Sequence, residues 1–350
     1  MSLYSNPAAR SWVSPRAGTD TRAFHRTLPG YAPTRLVELP SIAAELGVGR
    51  VFAKEESGRL GMPAFKILGA SHAIVRALGG TTLDDVPPTS RTIVAATDGN
   101  HGRAVAHMAA LLGVTARIFV PDTITVAARE AIAAEGAELT VLATHYDDVV
   151  QYARREAEAT GALLVQDSAW PGYEQIPGWI TDGYSTLFAE IDEQLAEAGA
   201  GPASLVTAPT GVGALAEAAV HHHRVGAPDA AVVLVVEPDT AACVLASLQA
   251  GTPVAVATGH TAMNGLNCGV VSPGAWAPMR DGVDAAVAVS DTEAIRATRD
   301  LQALGVDAGP CGASSLAAVR AVPREQLGLG SDAVLVLLVT EGMAANPLAD

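Results

Sequence analysis

Between residues 92 and 169 the chain alternates short apolar runs with helical patterns, and no other feature limits its fold as strongly. "TIVAAT" (92–97) leads into the helical "GRAVAHMAALLG", "TARIFVP" (115–121) into "VAAREAIAAEG", and "ELTVLAT" (138–144) into "YDDVVQYARREAEATG"; "ALLVQDSA" (162–169) closes the set. This βαβαβαβ rhythm calls for a parallel sheet covered by helices, compact enough to be a small domain of its own. A second α/β series follows. "SLVTAP" (204–209) precedes "ALAEAAVHHHRVG", "AVVLVVEP" (231–238) precedes "AACVLASLQAG", and "DAAVAVS" (284–290) precedes "DTEAIRATRDLQALG" and the last strand, in "DAVLVLLVTEG" (332–342).

Composition narrows the function classes. Hydrophobic residues make up 49% of the 350, yet no apolar run nears the roughly 18 residues of a membrane span, so no membrane partner is expected. The start, "MSLYSNPAARSWVSP", lacks the basic and apolar regions of a signal peptide. Three cysteines (Cys243, Cys268, Cys311) are too few and scattered for a disulfide framework or a zinc site. A cytoplasmic location with free thiols is expected, although Cys243 and Cys268 could pair. The net charge is −15 and no Lys/Arg-rich run occurs, which argues against a nucleic-acid partner. A small-molecule enzyme or sensor fits better. The run "HHH" (221–223) cannot put three imidazoles on one helix face; it reads as a solvated helix end, and no metal site is expected.

Open α/β sheets bind ligands at the carboxyl ends of their strands. "ATDGNHG" (96–102) lies between a strand and a helix, where it either offers N–H groups to an anion or is a plain turn capped by Asp98 or Asn100. "PTGVGALAE" (209–217) is again strand, glycine loop, helix, and suits a single phosphate; it lacks the third glycine of a dinucleotide fingerprint and the lysine of a P-loop. "LVTEG" (338–342) ends the last strand on Thr340 and Glu341, which would otherwise run out into solvent. "LLVQDSAW" (163–170) leaves Asp167 at a strand end, with a helix cap as the plain alternative.

"GMPAFKILGASHAI" (61–74) sets Lys66 among apolar neighbours, in a chain with only 22 Lys and Arg. A lysine partly buried in such a setting can attack carbonyls as a neutral amine and form a Schiff base. A glycine-rich phosphate loop elsewhere in the chain completes the pair of groups that pyridoxal 5′-phosphate requires.

Several stretches carry a family resemblance, in the family's order. They are "KEESGRLGMPAFKILGASHAI" (54–74), "ATDGNHGRAVA" (96–106), "VQDSAWPGY" (165–173), "TGVGALA" (210–216), "VVEPDTAAC" (235–243), "GLNCG" (265–269) and "VTEG" (339–342). With them the chain resembles the fold-type II pyridoxal-phosphate enzymes, the group of threonine dehydratase and the tryptophan synthase β-subunit. Within that group it is most similar to the diaminopropionate ammonia-lyase family. The resemblance implies an α/β fold of two open, mostly parallel sheets, with a small domain (86–199, carrying the asparagine loop) inserted in a large cofactor-binding one (1–85 and 200–350). It implies a site between the two, closed by movement of the small domain, and a homodimer.

The resemblance also implies roles. Lys66 carries the cofactor; Asn100 bonds its 3-oxygen; Gly211, Val212, Gly213 and Ala214 cradle its phosphate; and Thr340 faces the ring nitrogen. Thr97, Asp98, Gly99 and His101 stand where the family grips the substrate. Asp98 and Asp167 would attract the side-chain ammonium of 2,3-diaminopropionate. Lys66 and Asp98 would serve as bases for the two enantiomers, with Asp167 orienting the substrate, and the products would be pyruvate and ammonia. Two alternatives stay open: another pyridoxal-phosphate β-elimination or replacement enzyme acting on serine, threonine or a relative, and a non-catalytic amino-acid sensor on the same fold.

Overall fold

The computed structural model describes residues 3–16, 19–97, 99–226 and 230–348. The chain enters through β1 (Leu3–Ser5), the one-turn α1 (Arg22–His25), β2 (Leu36–Glu38), α2 (Pro40–Leu46), β3 (Arg50–Glu55) and α3 (Lys66–Ala77). The alternating segment follows as β4 (Ile93–Ala96), α4 (Asn100–Leu112), β5 (Ala116–Pro121), α5 (Val126–Ala134), β6 (Glu138–Leu142), α6 (Tyr146–Thr160) and β7 (Leu163–Leu164). Then come α7 (Gln175–Gly183), α8 (Ser185–Glu197), β8 (Leu205–Pro209), α9 (Ala214–His223), β9 (Val232–Pro238), α10 (Cys243–Ala250) and α11 (Pro273–Gly282). The last elements are β10 (Ala285–Val289), α12 (Asp291–Ala303), α13 (Pro310–Ala321) and β11 (Val334–Val339).

Among the described residues these strands form two sheets. One has the order β6-β5-β4-β7 and is parallel throughout. The other, β1-β10-β9-β8-β11-β3-β2, is parallel except for β1 and β2 at its edges. The chain thus folds as the expected α/β pair of open, mostly parallel sheets, and the larger sheet draws strands from both sides of the smaller one in sequence. Every residue of β11 is buried, as a central parallel strand covered on both faces requires.

A shared apolar core joins the sheets: Ile93 and Ile118 of the smaller belong to one cluster with Val206 and Val336 of the larger. Helix α3 lies in that core and packs on α4 and α7. Gly69 and Gly183 let α3 and α7 approach closely, since a Cβ on Gly183 would sit 2.4 Å from the Leu68 carbonyl oxygen. No helix among the described residues is long and apolar enough to cross a membrane.

Two charged groupings depart from their sequence reading or lie outside it. The three histidines at the end of α9 are not a solvated run. His221 is buried against Ser14 Oγ (2.7 Å), and His222 pairs with Asp192 (2.8 Å). The ring of His223 is buried, and burial lowers its pKa well below the usual value. The rings of His222 and His223 meet edge to face, 4.8 Å between centroids, and both lie against Phe188. Beneath β3, Lys54, Glu56, Arg59 and Glu190 form a buried, charge-balanced network. Lys54 Nζ donates to Glu190 Oε2 (2.6 Å), and Arg59 bridges Glu190 Oε1 and Glu56 Oε1 (2.7 Å each). The network ties α8 to the stretch after β3 that leads to Lys66.

Candidate active site

Lys66 opens α3, directly after a loop that is stitched to the end of β11. The Phe65 N–H donates to the Thr340 carbonyl (3.1 Å), the Gly342 N–H donates to that of Pro63 (3.0 Å), and Ala64 bridges Glu341. From there Lys66 Nζ donates to Asp167 Oδ2 at 2.8 Å, with the two side chains 22% and 9% exposed. Asp167 is therefore an ion-pair partner and not a helix cap. Burial alone would raise its pKa, but the positive charge of Lys66, with His101 close by, outweighs burial and holds it down at about 2.

The asparagine loop leaves β4 at Thr97. Asp98 lies outside the described residues. The buried Thr97 hydroxyl accepts from the Gly99 and Gly102 N–H groups (2.9 and 3.0 Å) and so caps α4. Asn100 is the first residue of the helix, after the N-cap Gly99, and its Nδ2 donates to Glu341 Oε2 at 2.7 Å. His101 turns inward, and its Nε2–H donates to the Val165 carbonyl (2.9 Å), which leaves Nδ1 buried with no hydrogen-bond partner. Burial lowers the His101 pKa.

The glycine loop follows β8. Gly213 has φ 111°, a left-handed conformation that glycine adopts freely, and α9 starts behind it with no side chain capping its N–H groups. A Cβ on Gly211 would lie 2.9 Å from Cys268 Sγ. The loop is moored to the Asp167 turn through Ser272, whose N–H donates to the Val212 carbonyl (2.8 Å) and whose Oγ accepts from the Ala169 N–H (2.9 Å). Cys243, Cys268 and Cys311 are thiols, with no disulfide between them.

Thr340 and Glu341 do not run out into solvent; both are buried. Glu341 is the residue that sequence reasoning left without a role. Its carboxyl, pushed up in pKa by burial, accepts from Asn100 and from the Cys311 N–H (3.4 Å). The one signal for it was a carboxylate at the carboxyl end of an otherwise wholly apolar strand.

The structure thus brings Lys66, Asp167, His101, Asn100 and Thr340 to one region, with the glycine loop moored to it. A lysine amine, a loop whose first helical amides are uncapped, and a position at Gly211 with no room for a Cβ fit a phosphate-bearing aldehyde.

Comparison with known proteins agrees. The family model described as pyridoxal-phosphate dependent enzyme matches residues 27–341. The diaminopropionate ammonia-lyase of Salmonella typhimurium is 36% identical over 319 residues, covering 85% of this chain and 78% of that one. The holo diaminopropionate ammonia lyase of Escherichia coli superposes with a TM-score of 0.90 at 32% identity, over 98% of this chain and 93% of that one. A threonine deaminase from T.th. gives 0.78 at 26% identity, over 93% and 98%. With Lys66, the glycine loop and these relatives together, the chain belongs to the fold-type II pyridoxal-phosphate-dependent enzymes, in the diaminopropionate ammonia-lyase family.

Proposed function

We propose that this enzyme eliminates ammonia from 2,3-diaminopropionate to yield pyruvate and a second ammonia. The observation that carries the reading is the Lys66–Asp167 pair: a buried carboxylate beside the reactive lysine offers a place for a substrate ammonium, which an alcohol substrate would not need. The crystal structure of the Escherichia coli relative in complex with an aminoacrylate-PLP azomethine reaction intermediate, 33% identical with a TM-score of 0.88, supports the same chemistry.

Pyridoxal phosphate, bound through its aldehyde, supplies the sink for the electron pair left at the α-carbon. The chain supplies the rest. Gly211, Val212, Gly213 and Ala214 would hold the phosphate, Asn100 would donate to the 3-oxygen, and Thr340 would face the ring nitrogen. Thr97, Gly99 and His101 shape the wall that receives the substrate carboxylate. Lys66 Nζ, once the substrate amine has taken its place, removes the α-proton of one enantiomer, and Asp98 that of the other. Asp167 holds the β-ammonium, so that nitrogen departs as ammonia already carrying its proton. The released 2-aminoacrylate then hydrolyses in water to pyruvate and ammonia.

The two sheets support a division into a large domain (1–85 and 200–350) and an inserted small one (86–199) whose closure excludes water. Three cysteines kept as thiols support a reducing, cytoplasmic compartment, and we take the working unit to be a homodimer.

The test is the visible spectrum of the purified protein and its pyruvate output with 2,3-diaminopropionate, L-serine and D-serine. The reading expects a violet-region band that changes with diaminopropionate, and pyruvate formed fastest from it. Faster turnover of serine would replace it with the dehydratase-like alternative. Ligand binding without turnover would favour a sensor.

A further inference from the structure

We infer that Glu341 is a positioning residue for Asn100, holding its amide so that the second N–H of Nδ2 is turned toward the cofactor's 3-oxygen. The inference rests on the proposed cofactor role of Asn100 and extends it to a residue 241 positions away, on the other sheet.

Three observations carry it. An asparagine amide has two N–H donors on one atom and an acceptor on the other, so its orientation decides what it offers a ligand. Glu341 Oε2 takes one of those N–H groups at 2.7 Å, a donation that a flipped amide, with Oδ1 in that place, could not make. Second, the backbone that carries the carboxyl is held in place, and its Oε1 also accepts from the Cys311 N–H (3.4 Å). The Glu341 carbonyl accepts from the Gly309 N–H (2.9 Å), the next residue, Gly342, donates to Pro63 (3.0 Å), and Ala64 bridges Glu341 directly. Third, glycines flank both oxygens of that carboxyl, and at Gly309 a larger residue would crowd it. A Cβ on Gly309 would lie 3.2 Å from Oε1, and one on Gly265 3.9 Å from Oε2. A donor held against the 3-oxygen favours its ionised form. Glu341, two residues from β11, therefore sets that contact from outside it and ties the asparagine loop to the segment that carries Lys66.

The experiment is a double-mutant cycle on the cofactor-loaded enzyme, read by the pH titration of its visible band and by the cofactor dissociation constant. Asn100→Ala is expected to weaken cofactor binding about tenfold, the scale of one lost hydrogen bond to a charged group, and to move the titration midpoint. Glu341→Ala should move both readouts in the same direction, and the double variant should be no worse than Asn100→Ala alone. Glu341→Gln, which keeps a carbonyl acceptor, should restore most of the binding. Glu341→Asp keeps the charge but falls short of Asn100, should behave as alanine does, and serves if the alanine variant does not fold. Additive effects in the double variant, or unchanged readouts in both Glu341→Ala and Glu341→Asp, would overturn the inference. Unchanged readouts in Asn100→Ala would instead remove the cofactor role of Asn100, and the inference with it.

Discussion

Lys66 and Asp167 are 101 residues apart in the chain and 2.8 Å apart in space, one at the start of α3 and the other just beyond β7 of the opposite sheet. Their pair joins the segment after β3 to the end of the smaller sheet.

In the cofactor-free protein, Lys66→Met should destabilise the fold in a pH-dependent way. Asp167 has its pKa lowered from 3.8 to about 2 in the folded state. It thus adds stability above the ordinary carboxylate range, and that stability is lost as pH falls toward 2. Without Lys66, burial acts largely unopposed and raises the same pKa, reversing the sign. The variant should therefore lag the parent most at neutral pH, with the gap narrowing as pH falls through the variant's raised Asp167 pKa and closed near pH 2. Urea unfolding at pH 7 and at pH 4 checks this; a gap independent of pH would contradict it.

Asp167→Asn should lower kcat for diaminopropionate by about 10²-fold or more, the usual scale for a group that handles a proton or a developing charge. Any residual serine activity should fall much less, since no ammonium is there to be held. Steady-state rates on both substrates give the answer, and equal losses would assign Asp167 a purely architectural part.

Gly213→Ala should weaken cofactor binding while leaving the fold in place. Alanine at φ 111° is strained by about 1–3 kcal/mol, and its Cβ would meet Met279 Cε at 2.6 Å, the movable end of a flexible side chain. A dissociation constant raised by about 10-fold or more in absorbance titrations is expected. Unchanged affinity would place the phosphate elsewhere.

Glu190→Gln should cost about 3–5 kcal/mol of stability, because it leaves Lys54 and Arg59 short of a buried counter-charge. Chemical denaturation would read it directly. The exposed pair of Arg154 and Glu158, one helical turn apart, is expected to be worth only about 0.3–0.5 kcal/mol.

Much of this molecule was legible before folding. The strands from β4 to β11 fall where apolar runs alternate with helical patterns, because each parallel strand must be buried and each connection must cover it. Lys66 stood out as a charge with no polar neighbours, and the glycine loop as a turn built for an anion. Helix α13 gave no comparable sign. It is buried nearly all round and rich in small residues, so no face is polar enough to mark a period. His221 and Glu341 were misjudged for a related reason: a polar residue at the end of an element looks solvated until another element covers it.

The succession of strands and helices, the family motifs and the apolar setting of Lys66 are properties of the sequence, since each is read from short stretches of the chain. Which charge meets which is not. Asp167 on Lys66, Glu341 on Asn100 and Glu190 on Lys54 join residues 101, 241 and 136 positions apart. No local spacing encodes such contacts. The packing of two sheets through a shared core decides them, because only that packing removes water from around these groups and leaves them to one another.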